Sequence, residues 1–212
     1  MNDLFSRGEP HDPTGVELAS LEELYGLMAD GEPPGPGVGR FVPGEGPAGA
    51  PILFVGEQPG DQEDVQGKPF VGPAGQLLDR ALSDAGVPRG EAYVTNAVKR
   101  FHFTQRGKRR IHEKPSTSEI RKERWWLEKE IRLVGPRVVV ALGATAVLAL
   151  AGKPLPVTKA RGPIRWPDER DGYVTVHPSY LLRLQDAGER RVAYEAFVGD
   201  LQRIGELARA GV

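Results

Sequence analysis

The stretch GKRRIHEKP, residues 107–115, places one histidine, His112, among four basic side chains. These side chains are Lys108, Arg109, Arg110 and Lys114. Nearby positive charge disfavours a protonated imidazole, and a neutral ring keeps a lone pair that can act as a nucleophile. The same charges would hold a phosphodiester close to the ring. The run taken alone is equally typical of a solvated loop or of a loop that only touches phosphate, and both interpretations stay open at this point.

A carboxylate stands at a second chemically capable position, because Glu57 directly follows the short apolar run PILFVG at 51–56. In that place it could stabilise an oxocarbenium-like transition state at a sugar or accept a proton. Asp61, Glu63 and Asp64 follow among glycines and prolines, so a solvated acidic turn is the alternative. The loop has neither the Gly-Lys-Ser/Thr of a phosphate-binding loop nor the spacing of a calcium loop, and we expect no metal here.

Three further residues could recognise a base. Phe70 lies between Pro69 and Val71, where it either packs in the core or offers a stacking face. Asn96 lies in an apolar segment, and its amide is either satisfied structurally or reads the edge of a pyrimidine with one acceptor and two donors. His177 follows an apolar run and is either structural or catalytic.

The elements that must position these residues alternate between strand and helix. The apolar runs predict strands at 51–56, 92–99, 137–143 and 172–177, with short strands at 39–44 and 161–166. The helical spacing predicts helices at 15–30, 74–86, 116–135, 144–152 and 189–210. This order predicts an α/β protein, a three-layer α/β/α sandwich around a central, mainly parallel four-stranded sheet. Ligands of such sheets bind beyond the carboxyl ends of the strands, where Glu57, Asn96 and His177 would meet.

Composition limits the classes of protein that fit. The 212 residues suit a single domain, with an N-terminal helix and Gly/Pro-rich loop in 1–50 and the catalytic core in 51–212. The chain has no cysteine, which excludes disulfides, thiolate metal sites and cysteine nucleophiles. No run reaches the length of a membrane span and the N-terminus is not a signal peptide, so we expect a cytoplasmic protein without a membrane partner.

Five motifs in this order carry a resemblance to a known family. The segments GEQPGD, PFVGPAG, NAVK, KRRIH and VHPS resemble UdgX, a branch of the uracil-DNA glycosylase superfamily related to the family-4 enzymes. The similarity runs from about Pro51 to the C-terminus. The KRRIH segment is the diagnostic one, because ordinary family-4 enzymes lack it.

The resemblance implies a chemistry and a role for each matching residue. The enzyme would flip uracil out of DNA, preferably single-stranded, and break its N-glycosidic bond. His112 would attack C1′ and stay attached, Glu57 would assist it, and His177 would stabilise charge on the departing base. The remaining roles would be substrate binding by Gln58, Asp61, Phe70 and Asn96, and DNA binding by Lys108, Arg109, Arg110 and Ser179.

One departure from the family is large. The resemblance implies an iron–sulfur cluster held mostly by cysteine, and the chain has none, so we expect no cofactor. The ligands would fall around 23–34, at Arg100 and near Glu123. We expect packing and ion pairs, such as Arg100 with Glu123, to replace the cluster.

Three functions therefore remain to be compared. The first is a uracil-DNA glycosylase, expected to be a monomer, that becomes covalently linked to its product through His112. The second is a hydrolytic glycosylase that turns over and uses the basic segment only as a clamp. The third is a non-catalytic protein that binds single-stranded DNA.

Overall fold

The computed structural model describes residues 17–30 and 35–210 as two sheets surrounded by helices. The strands are β1 (Val38–Phe41), β2 (Ile52–Gly56), β3 (Ala92–Asn96), β4 (Arg100–Arg106), β5 (Arg109–His112), β6 (Val138–Leu142), β7 (Gly162–Arg165) and β8 (Asp171–Thr175). The helices are α1 (Leu21–Ala29), α2 (Asp61–Gln66), α3 (Pro73–Asp84), α4 (Thr117–Val134), α5 (Ala144–Ala151), α6 (Val157–Ala160), α7 (Pro178–Arg183) and α8 (Ala187–Ala210).

The central sheet has the strand order β3-β2-β6-β8-β7, in which the first four strands are parallel and β7 pairs antiparallel with β8. The strands β2, β3 and β6 are buried along their whole length, as strands covered on both faces must be. In β2, Leu53 and Val55 pack on one side with α4 and α5, whereas Ile52 and Phe54 pack on the other with α3 and α8. The three-layer α/β/α fold is confirmed.

The central sheet has five strands rather than four, because the segment expected as a short edge strand joins it as β7. Residues 97–99, which were expected to extend the second strand, leave the sheet after Asn96. The first helix is shorter than its apolar spacing predicted. It begins after Ser20, whose hydroxyl accepts a hydrogen bond from the backbone N–H of Glu23, and the predicted residues 15 and 16 lie outside the described part.

A second sheet, with the order β1-β4-β5, carries the basic segment. The expectation of a loop was wrong, since β4 and β5 form an antiparallel hairpin in which Phe103 is paired with His112. Gly107 adopts a φ of 59° at the turn, a conformation that suits glycine. Strand pairing fixes the position of each residue along the hairpin and the face on which its side chain lies, so His112 occupies a defined position.

The acidic segment after β2 also differs from the expected turn, because six of its residues form α2. The carboxylate of Glu63 accepts a hydrogen bond from the backbone N–H of Gly60 at 2.8 Å and thereby caps the first turn. Ser116 and Glu119 form a capping box at the start of α4. No helix in the described ranges is long and apolar enough to cross a membrane.

A buried ion pair ties the region behind the sheet together. Lys99 Nζ lies 2.5 Å from Glu130 Oε2, and these side chains are 1% and 0% exposed. Thr95 Oγ1 donates to both carboxylate oxygens of Glu130, at 3.1 and 2.9 Å. The hydroxyl of Tyr25, on α1, also donates to Glu130. The N-terminal helix is therefore held to the sheet by a polar network as well as by apolar contacts.

Candidate active site

A cavity of about 870 Å³ opens at the carboxyl ends of the parallel strands. The strand ends supply Glu57 after β2, Asn96 at the end of β3 and His177 after β8. The hairpin of the second sheet supplies His112 from its outer strand. These four predicted residues therefore line one cavity, in the place where ligands of open α/β sheets bind.

Glu57 lies between two partners, one on each carboxylate oxygen. Its Oε1 is 3.4 Å from His112 Nε2. Its Oε2 accepts a hydrogen bond at 2.5 Å from Oγ1 of Thr145, a residue that is 2% exposed in the first turn of α5. The buried hydroxyl fixes the carboxylate, and the free oxygen faces the imidazole. Thr145 was not predicted as a site residue, although it lies shortly after the end of β6, as Glu57 does after β2.

Gln58 anchors the hairpin to the end of β2. Its Nε2 donates to the carbonyl oxygens of His102 at 3.2 Å and Glu113 at 2.9 Å. Its Oε1 accepts from the backbone N–H of His102 at 3.3 Å. Both amide hydrogens are used by the hairpin, so Gln58 lines the cavity as a support for His112 more than as a free donor.

Arg110 provides a second anchor for the hairpin, to α2. Its guanidinium pairs with Asp61 (Nε to Oδ1, 2.6 Å) and with Asp64 of α2. Its Cζ lies 5.4 and 5.1 Å from the ring centroids of Phe101 and Phe103. Two carboxylates already neutralise this arginine, so it and Asp61 stabilise the hairpin outside the cavity. Lys108, in the turn, and Arg109 are exposed, outside the residues that line the cavity.

Phe70 is held in an unusual backbone conformation at the cavity wall. Its φ is 56°, rare for a residue with a side chain, and its side chain is 7% exposed. The buried carboxylate of Glu63 accepts hydrogen bonds from the backbone of Gly60, Phe70 and Gly72, while burial raises the pKa of Glu63. A side chain at Gly75 would collide with the carbonyl group of Phe70. The ring is thus preorganised before any ligand arrives.

Asn96 lines the cavity and has an unpaired donor. Its side chain is 3% exposed, and its Nδ2 is buried without a hydrogen-bond partner in the described part of the chain. A buried donor without a partner costs about 1–3 kcal/mol. A ligand acceptor in the cavity would recover that cost. Gly56 keeps the place open, since a Cβ there would lie 2.8 Å from the Phe70 ring and closer still to Asn96.

His177 is neutral and has a defined tautomer. Burial, the largest cause, lowers its pKa to about 4, and the charges of Arg183 and His112 lower it further while Glu57 opposes them. Its Nδ1 accepts the backbone N–H of Ser179 at 3.2 Å and lies 2.9 Å from Ser179 Oγ. The proton of the neutral ring is therefore on Nε2, which makes His177 a hydrogen-bond donor. Ser179 lines the cavity and orients this ring.

The residues present do not fit a cysteine-ligated cluster at the place that the resemblance assigned to one, around 23–34, Arg100 and Glu123. Arg100 Nη2 donates to the carbonyl oxygen of Met28 at 3.3 Å. Burial raises the pKa of Glu123, against the lowering influence of nearby positive charge that includes Arg100. A guanidinium and a carboxylate are not cluster ligands of the usual kind, and the chain has no thiolate. Residues 31–34 lie outside the described part.

Comparison with known proteins identifies a family that matches this chain. Residues 43–202 match the sequence profile described as the uracil DNA glycosylase superfamily. The type-4 uracil-DNA glycosylase of Thermotoga maritima is 40% identical over 158 residues, which cover 74% of this chain and 79% of the relative. The type-4 uracil-DNA glycosylase of Archaeoglobus fulgidus is 31% identical over 176 residues, 79% of this chain and 82% of the relative. With these matches and a cavity at the expected strand ends, the chain belongs to the uracil-DNA glycosylase superfamily.

Proposed function

We propose that the protein is a uracil-DNA glycosylase that removes uracil from DNA and then remains covalently bound to the sugar through His112. Glycosylase activity on uracil-containing DNA is supported by the superfamily match and by the type-4 relatives. The covalent bond between His112 and the sugar is proposed in addition to this activity. The observation that carries it is the position of His112, whose Nε2 lies 3.4 Å from Glu57 at the cavity, on a hairpin anchored by Gln58 and Arg110.

Base recognition uses the preorganised wall of the cavity. The flipped uracil stacks on Phe70, and Asn96 Nδ2 donates to the O4 acceptor of the base. Cytosine presents a donor at the same position, so it would leave Asn96 Nδ2 unpaired and add a second buried donor beside it. Such a mismatch of buried hydrogen-bonding groups discriminates strongly between similar ligands.

Bond cleavage then moves electrons toward the base. The C1′–N1 bond breaks, its electron pair leaves with uracil, and His177 Nε2–H stabilises the negative charge that develops on the base oxygen. The carboxylate of Glu57 stabilises the positive charge that develops on the sugar. A neutral His177 suits this role, because its proton is shared in a hydrogen bond and is retained by the ring.

His112 captures the sugar before water does. Its Nε2 lone pair forms a bond to C1′, the Nδ1 proton passes to solvent, and the departing uracil anion takes a proton from solvent. The product is an N-alkylated imidazole, which has no easy leaving group. The reaction therefore resembles a retaining glycosidase that stops at its covalent intermediate.

We further propose that the protein prefers single-stranded DNA, acts as a monomer and works without an iron–sulfur cluster. Extruding a base from a duplex costs a few kcal/mol, and an unpaired strand avoids that cost. The exposed cations Lys108 and Arg109 lie at the turn end of the same hairpin as His112, where they can meet the phosphates of a strand. In place of a cluster, the Lys99–Glu130 network would hold α1 in position. The expected ion pair of Arg100 with Glu123 is not formed, because Arg100 Nη2 donates to the carbonyl oxygen of Met28 and Glu123 Oε2 is buried without a hydrogen-bond partner in the described part of the chain.

The test is a denaturing gel. Wild type and His112→Ala are mixed with a labelled single-stranded oligonucleotide that contains one uracil or, as the control, one thymine. We expect a band that resists heat and detergent with the wild type and uracil only. Free product that breaks in alkali, without the shifted band, would show a hydrolytic enzyme that turns over. Neither product would leave a DNA-binding protein, and in either of these cases the covalent proposal would be wrong.

A further inference from the structure

The cavity has more room and more charge than one pyrimidine base needs. Its volume of about 870 Å³ lies in the range that encloses a drug-sized molecule. Beyond the residues assigned above, α6, the residue that follows it and α7 contribute a second group with hydroxyl and cationic side chains. This group consists of Thr158, Arg161, Tyr180 and Arg183. None of the four has a part in the base recognition or bond cleavage described above.

Arg161 is held in place by a buried carboxylate. Its Nε lies 2.7 Å from Oδ2 of Asp200, which is 4% exposed. Asp200 also accepts from the hydroxyl groups of Tyr173 at 3.0 Å and Thr175 at 2.5 Å, so its own position is fixed by the sheet. The contact uses Nε of the guanidinium, and Arg161 also lines the cavity.

Arg183 is a second cation, close to the predicted catalytic histidine. Its Nη1 donates to Ser179 Oγ at 3.0 Å, and Ser179 in turn contacts His177. The charge of Arg183 reaches the imidazole, since it adds to the effect of burial in lowering the pKa of His177. Arg183 is exposed at the cavity, so an anion can approach it from solvent.

We propose that Arg161 and Arg183 bind the phosphodiester that joins the flipped uridine to its neighbour in the DNA strand. The proposal rests on the proposed function, because the uridine in the cavity brings this phosphate to the arginines. The planar guanidinium matches phosphate oxygens with two parallel hydrogen bonds. Uridine is then held from three directions: by the base pocket, by the hairpin and by this phosphate site.

The experiment measures binding to oligonucleotides in which one phosphodiester is replaced by an uncharged methylphosphonate, either 5′ or 3′ to the uridine. The uridine carries a 2′-fluorine, which slows glycosidic cleavage and leaves binding as the readout. Dissociation constants are determined for wild type, Arg161→Gln, Arg183→Gln and the matched control Arg165→Gln. Arg165 lies on β7, four residues from Arg161, and pairs with Asp171 on the surface.

We expect one of the two methylphosphonates to weaken wild-type binding roughly tenfold or more, as loss of a charge-assisted hydrogen bond does. The same methylphosphonate should cause a smaller further loss in Arg161→Gln and in Arg183→Gln than in the wild type, since one of its two partners is already gone, and little further loss when both arginines are replaced. Each of these variants should also lower the slope of log K against log salt by about 0.7, the value for one single-strand phosphate. Arg165→Gln should respond like the wild type.

Three results would overturn the proposal: wild type indifferent to both methylphosphonates, additive losses in both arginine variants, or an Arg165→Gln response equal to that of Arg183→Gln. Arg161→Gln removes a partner of buried Asp200 and risks misfolding, so exposed Arg183→Gln provides the same test independently. Uracil release by wild type from the unfluorinated oligonucleotide is measured alongside. Its absence would contradict the proposed glycosylase function, whereas the response to the methylphosphonates decides the phosphate site.

Discussion

Thr145→Val should slow the reaction of His112 with the sugar and leave DNA affinity nearly unchanged. Valine has nearly the same shape as threonine, so packing around this buried position is kept, while the hydrogen bond of 2.5 Å to Glu57 Oε2 is lost. A hydrogen bond to a charged group contributes about 1.5–3 kcal/mol. If the whole amount is lost in the transition state, the rate falls roughly 10- to 150-fold.

The assay is the single-turnover rate of adduct formation with excess protein over a labelled uracil oligonucleotide. Thr145→Ser retains the hydroxyl group and should recover most of the rate. The free energy of unfolding and the affinity for a 2′-fluorinated oligonucleotide serve as controls, and both should stay close to wild type. A wild-type rate in Thr145→Val, or equal losses in Thr145→Val and Thr145→Ser, would refute the view that Thr145 positions Glu57.

Four further outcomes are expected. Lys99→Met leaves the Glu130 carboxylate buried without its cation and should destabilise the protein by about 3–5 kcal/mol in chemical denaturation. Adding Glu130→Leu should recover much of the lost stability. A small effect of Lys99→Met alone would contradict this expectation. Asn96→Asp replaces the free donor with an acceptor and should reduce uracil excision at least about tenfold, and an unchanged rate would exclude the role of Nδ2. The folded-state pKa of His177, about 4, lies below its ordinary value of 6.5. Its contribution to the free energy of unfolding is therefore complete above pH 6.5 and is lost as the pH falls toward 4. Because the ring stays neutral at pH 6.5, the rate of uracil excision should not fall at that pH through protonation of His177. Iron and sulfide analysis of the purified protein should find neither, and prolonged chelator treatment should not change activity; stoichiometric iron would contradict the proposed absence of a cluster.

Periodicity predicted the central layer well, because its strands are buried on both faces and its helices carry an apolar stripe. The parallel order followed from the alternation of strands such as 51–56 with helices. The hairpin of β4 and β5 was not predicted, since a charged segment such as 107–115 shows no apolar alternation. Its stability comes from contacts distant in sequence: Arg110 with Asp61, and Gln58 with the hairpin backbone.

Part of the site could also be predicted from the sequence, because it depends on where the parallel strands end. Glu57 and His177 follow parallel strands and Asn96 ends one, and the rule for ligand sites in such sheets brings the three together. Thr145 follows β6 and could have been found by that rule. The position of Arg161 at the cavity depends on its ion pair with Asp200, nearly forty residues later in the chain. No local sequence pattern predicts such a pair. Likewise, the donor of Asn96 proves to be unpaired only when its surroundings are known.

The most direct measurement for the central claim is mass spectrometry of the adduct. Wild-type protein is incubated with a short single-stranded uracil oligonucleotide, digested with protease and nuclease, and fragmented to locate the sugar on the chain. We expect a deoxyribose remnant on His112 and an equal amount of free uracil. Free uracil with an unmodified His112 peptide, or a remnant on another residue, would contradict it.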